Sequence, residues 1–168
     1  MARPARLPRT SALAAGLLAL GLTACSPITT QEPYAPSDGV QVELESQITG
    51  QNLMILTAAA GEPGVLLGAL TNNTESATSV TVEVGSTLVT LPISARQTML
   101  LSAPDAVPTA TLGVVDVVLA AVEDPPGSVA DVRVSTPESG SVTVAVPVLD
   151  GTLDPYDDVL RDITTATA

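Results

Sequence analysis

The chain has 168 residues, with 18 acidic side chains against 6 basic ones and a formal charge of −12. It has one Cys, no His, Trp or Phe, and no Lys, so every basic residue is an arginine. This length makes one domain rather than two. The missing residue types exclude a His-based triad, a His metal site, a Schiff-base lysine and a disulfide framework. A basic face for nucleic acid cannot be assembled from so few cations.

Met1 to Thr10 carries Arg3, Arg6 and Arg9 and no acid, and Ser11 to Leu22 reads SALAAGLLALGL. A cationic start followed by a short apolar run is the layout of a secretory signal peptide. The run is too short to span a bilayer, which takes about 20 apolar residues. It closes on Leu22-Thr23-Ala24-Cys25: an aliphatic residue, two small ones, then the only cysteine. That pattern resembles the lipobox of bacterial lipoproteins. The resemblance implies removal of residues 1–24 and a diacylglycerol thioether on Cys25. It further implies fatty acylation (palmitate among the chains) of the new amino group, and residence on the extracytoplasmic face of the cell membrane. Cleavage there would leave three arginines against eighteen carboxylates, a net charge of −15.

Residues 25–39 follow as the lipidated cysteine and a Pro-rich tether, since Ser26 to Gly39 holds three prolines and no apolar period. Fully extended, this stretch reaches about 50 Å; Pro33-Tyr34-Ala35-Pro36 also allows an extended strand against the domain. Residues 40–150 read as the folded domain. Val40, Val42 and Leu44 alternate with polar residues, the pattern of a half-buried strand. Leu53 to Leu56 and Val65 to Thr71 read as strands buried on both faces, and Asn72 to Ser76 reads as a turn. Asn72-Asn73-Thr74 matches a glycosylation sequon by chance. Val80, Val82 and Val84 alternate again, Leu88 to Leu91 and Thr98 to Ser102 follow, and Leu112 to Val122 reads as one long strand or two. Val129 to Val134 and Val142 to Val148 make a closing pair. Eight or nine short strands with turns every 8 to 12 residues predict an all-β, immunoglobulin-like β-sandwich. Its core must be built from Val, Leu, Ile and Ala.

Residues 151–168 form an acidic C-terminal tail. The sequence allows a short helix after Pro155, with Tyr156, Val159, Leu160 and Ile163 on one side; the acidic, sparsely apolar composition favours a mobile segment. Asp154, Asp157, Asp158 and Asp162 lack the Gly-containing loop of a calcium motif and read as solvated.

Gly68-Ala69-Leu70-Thr71-Asn72-Asn73 and the closing run Gly140 to Val148 resemble the PCu(A)C family of periplasmic copper chaperones, which implies a single cupredoxin-like sandwich. Tyr34 to Gly39 (YAPSDG) and Leu56 to Asn73 (LTAAAGEPGVLLGALTNN) resemble the LpqE-type lipoproteins of actinobacteria. The chaperones of the first family bind Cu(I) through a His and several Met, including a His-x-Met pair. That pair aligns with Asp116-Val117-Val118, and no His is present anywhere. Met54, Met99 and Asp116 are the only metal candidates, and weak ones. Soft Cu(I) wants thioether and imidazole together, and isolated methionines belong in a core. The expectation is a retained fold without its metal, and no cofactor besides the covalent lipid on Cys25.

Hydroxyls abound, yet an activated one needs a neighbouring base, and only carboxylates are present. No catalytic residue is assigned and the chain is expected not to be an enzyme. The LpqE-type resemblance implies an accessory lipoprotein, anchored in the membrane and associated with a membrane-protein complex, the actinobacterial respiratory supercomplex of cytochromes bcc and aa3. The alternative is copper-chaperone-like metal delivery to an oxidase. A small-ligand or cell-envelope binding role lacks aromatic platforms, with only Tyr34 and Tyr156 in the chain.

Overall fold

The structure, a computed structural model, describes residues 38–45, 47–103, 105–154 and 156–166. The lipobox with Cys25, and the tether up to residue 37, lie outside the described residues. All described residues belong to one compact unit.

Alternating valines make strands here because a β-branched side chain on every second position can enter the core while its polar neighbours stay wet. Ten strands result: β1 Val40–Leu44, β2 Ile48–Thr57, β3 Gly64–Asn72, β4 Thr78–Val84, β5 Thr87–Ile93, β6 Thr98–Leu101, β7 Leu112–Val115, β8 Val118–Leu119, β9 Val129–Thr136 and β10 Gly140–Leu149. Helix α1, Tyr156–Ala166, follows. One layer runs β5-β4-β9-β10; the other runs β2-β3-β6-β7, with β1 beside β2 and β8 beside β3. β10 joins them: Gly140 to Pro147 pairs with β9, and Val148-Leu149 then pairs in parallel with Ile55-Leu56 of β2. The result is the all-β sandwich that the strand pattern predicts.

The count exceeds the expected eight or nine because Leu112 to Val122 divides. β6 pairs with β3 only over Gly68 to Thr71, leaving Gly64 and Val65 open. β7 runs parallel to β6, and then β8 steps across to pair Val118 and Leu119 with Val65 and Gly64. Ser102 guides that step with a positive φ of 48°. Its N–H donates to Val115 O at 2.7 Å, and its Oγ accepts from Val117 N–H at 2.9 Å.

The core is wholly aliphatic, with Ile48, Leu53, Ile55, Leu66, Leu70, Val80, Ile93, Leu101 and Val146 all at 1% exposure or less. Each such side chain contributes about 1.5–3 kcal/mol by leaving water. β2 is buried on both faces from Leu53 onward: Leu53 and Ile55 join the main cluster, while Met54 and Leu56 are buried outside it. Helix α1 contacts β2 and β3. The C-terminal tail, for which the composition favours mobility, is therefore helical over residues 156–166. Arg161 pairs with Asp157 one turn earlier at 3.1 Å and with Asp158. Tyr156 Oη donates to Asp38 Oδ2 at 2.7 Å, tying the start of the helix to the start of the domain.

Candidate functional site

The three metal candidates do not converge. β3 lies between β2, which carries Met54, and β6, which carries Met99. Met54 faces Leu67 across the ladder and is 2% exposed. Met99 is half-buried and faces Leu70 on one side and Gly113 on the other. Its thioether occupies the space where a Gly113 side chain would begin, 2.7 Å from the Cβ position. Both methionines fill apolar space, as their flexible chains suit. Asp116 is exposed on the β7–β8 connection, three residues beyond Gly113. Among the described residues, no three Asp, Glu, Cys or His are grouped to hold a metal ion.

Asn72 ends β3 with no exposed surface, so its carboxamide is not a surface acceptor despite the sequon spelling. Its Nδ2 donates to the carbonyls of Ser76 (2.8 Å), Ile93 (3.2 Å) and Ser94 (3.0 Å). Its Oδ1 accepts from Thr74 N–H and Oγ1 at 2.9 and 2.8 Å. One side chain thus closes the β3–β4 turn and fastens it to the end of β5. Composition marks this stretch as a turn; that its first residue is a buried strut depends on β5 folding back beside it.

The remaining chemistry is electrostatic. Arg96 pairs with Glu75 at 2.5 Å and Arg161 with Asp157 and Asp158. The Asp131–Arg133 spacing suggests an exposed pair, yet Arg133 Nη2 donates instead to Ser141 Oγ at 2.9 Å across the β9–β10 ladder. The arginines of the domain are thus engaged within its own surface, and most of the other described carboxylates are exposed. Asp150, at the exit of β10, is held below the usual carboxylate range by hydrogen bonds from the Thr152 hydroxyl and N–H.

An open cleft of about 450 Å³ gathers three of those carboxylates. Its walls are the β4–β5 turn, the loop before β9 and the first residues of β9. Val122 and Ala130 are buried in its floor, Val129 is 57% exposed, and Glu123, Asp124 and Asp131 stand around them. The strand ladder creates this meeting, because Val84 pairs with Val132 and so brings the β4–β5 turn over the start of β9. The sequence signals that could have marked it are the Glu123-Asp124 pair before Pro125-Pro126 and the valine opening β9; both read as turn and strand.

Comparisons with protein-family models and with curated proteins gave no match. Among solved structures, the chain is similar to an apo PCuAC domain from PmoF1, with a TM-score of 0.48 and 12% identity over 65% of this chain and 98% of that one. It is also similar to a copper-bound PCuAC domain from PmoF2, with a TM-score of 0.44 and 18% identity over 66% of this chain and 98% of that one.

Proposed function

We propose that this protein is a non-catalytic accessory lipoprotein, held by Cys25 on the extracytoplasmic face of the cell membrane, whose acidic β-sandwich docks on a membrane-protein complex. The respiratory cytochrome bcc–aa3 supercomplex is the partner that the LpqE-type resemblance implies. The observation that carries the reading is the charge arrangement. Arg96 and Arg161 are paired with the domain's own acids, which leaves a surface that attracts basic partners and repels anionic lipid. A lipid anchor with such a domain is held near the bilayer without lying on it. Two or more acyl chains make that attachment durable, since each buried methylene contributes about 0.8 kcal/mol.

The test is affinity purification of the C-terminally tagged protein from membranes extracted in mild detergent at low salt. The expected result is a defined set of membrane-protein subunits that leaves the resin as salt rises, because exposed charge pairs are screened beyond about 10 Å at 0.1 M salt. Recovery of the tagged protein alone, at every salt concentration, overturns the reading.

A further inference from the structure

The cleft at the start of β9 has two unlike halves. Its floor and one side are apolar, with Val122 and Ala130 below and Val129 left 57% exposed. Its rim holds Glu123, Asp124 and Asp131, none of which makes a salt bridge among the described residues. The nearest arginine along β9, Arg133, is bonded to Ser141 instead. Among the described residues, no salt bridge therefore neutralises the rim, and Val129 keeps more than half of its surface open. The cleft also lies at the end of the sandwich where the chain enters. β9 begins opposite Pro147, and the following Val148-Leu149 pairs with Ile55-Leu56. Val40 enters opposite Leu53 of the same strand, and Asp38 just before it holds the first residue of α1.

Resting on the docking reading above, we propose that this cleft receives a loop of the partner protein bearing lysine or arginine beside an aliphatic residue. Such a loop matches the cleft in both charge and polarity. Lysine and arginine are the side chains with an apolar stem and a cationic head, and such stems lie along apolar surface while the heads reach polar partners. Here the stem meets the exposed Val129, above the buried Val122 and Ala130, and the head meets the carboxylates. An anionic loop is repelled by the rim, and a purely apolar one leaves three carboxylates uncompensated.

Carbodiimide coupling reads this out directly. The reagent activates a carboxylate, an amine displaces the urea, and an amide forms. The chain has no lysine, so its own side chains supply no amine. The probe is a heptapeptide of alternating lysine and valine, incubated at low salt with the full-length protein in detergent micelles. A lysine–serine heptapeptide is the control. We expect amides at Glu123, Asp124 and Asp131 in about five-fold excess over the exposed Asp105, Asp116 and Asp154, the size of preference that covering about 40 Å² of apolar surface at Val129 supplies beyond the charge attraction common to all exposed carboxylates. Val129→Ser, at an exposed position that does not threaten folding, should remove most of that excess, as should the lysine–serine peptide. Amides spread evenly over all exposed carboxylates overturn the proposal, and so does an unchanged pattern in Val129→Ser. An even spread from a protein that still co-purifies with a membrane complex overturns the cleft while the docking reading stands.

Discussion

Asn72 joins three segments through one carboxamide: its own turn by Thr74 and Ser76, and the end of β5 by Ile93 and Ser94. Replacing it by Ala leaves the buried Ile93 carbonyl without this donor, a loss of about 1–3 kcal/mol if it stays dry, and removes the part-buried bonds to the Ser76 and Ser94 carbonyls, together about 1 kcal/mol more. Asn72→Ala should therefore lower the free energy of unfolding by about 2–4 kcal/mol in a urea titration; a loss below 1 kcal/mol would mean that water reaches the turn. Tyr156 offers a second reading at this scale. Burial, then the hydrogen bond to Asp38 and its negative charge, push the Tyr156 phenol up to about 12. The raised value means that folding favours the neutral phenol. Its contribution is present below about pH 10, the ordinary tyrosine value, and is lost as pH rises through about 12. In a Tyr34→Phe background, ultraviolet absorbance should report a single tyrosine ionising near 12, and Asp38→Asn should bring that ionisation toward 10. Ionisation at the ordinary value in both proteins would show that the helix start is not fastened. At the methionines, Cu(I) loading followed by competition with a soft chelator should leave far less than one copper per chain, since Met54 and Met99 sit on strands separated by β3.

Among the elements, the half-buried strands were legible. Val42 and Leu44, or Val80, Val82 and Val84, announce a face by alternation, and those residues line the core. The first half of β2 was not legible. The apolar run marks a strand only from Leu53, yet the strand begins at Ile48 and passes through Gly50-Gln51-Asn52 by a bulge, with Asn52 at a φ of 52° and the register shifting between Gln51 and Met54. The opposing residue is Gly68, whose φ is 128°. A Cβ there would stand 2.8 Å from Gln51 O and 2.9 Å from Asn52 O. Local sequence could not reveal this, because the need for glycine arises only when β3 lies against the bulge. Gly68→Ala should cost about 1–3 kcal/mol by forcing that backbone apart, with Gly61→Ala, whose Cβ would meet nothing within 4 Å, as the milder comparison in the same denaturation assay. Equal stability in the two variants would contradict the bulge argument. The helical tail was legible only as an alternative, since its apolar side is thin and part of its attachment is the single bond from Tyr156 to Asp38. The lipobox-like pattern is local and is spelled out by residues 22–25 alone. The acidic cleft draws on segments about forty residues apart and becomes a feature only through the β4–β9 ladder.

At the scale of the whole molecule, the sequence joins a cationic N-terminal stretch to an acidic domain. Cleavage before Cys25 would change the net charge from −12 to −15 by removing three arginines and no acid. On the proposed reading the lipid supplies residence and the charge supplies partner choice. Cys25→Ala should accumulate as an unprocessed or released form, seen by fractionating cells and comparing the mass of the protein in each fraction. A mature membrane-bound Cys25→Ala form would contradict the anchor. Docking is measured directly by native-gel co-migration of the tagged protein, extracted in mild detergent, with a membrane-protein complex across a salt series. A stoichiometric high-mass band is expected at low salt, dissociating as salt rises and absent for Cys25→Ala. A protein that migrates alone at every salt concentration, with Cys25 intact and lipidated, would contradict it.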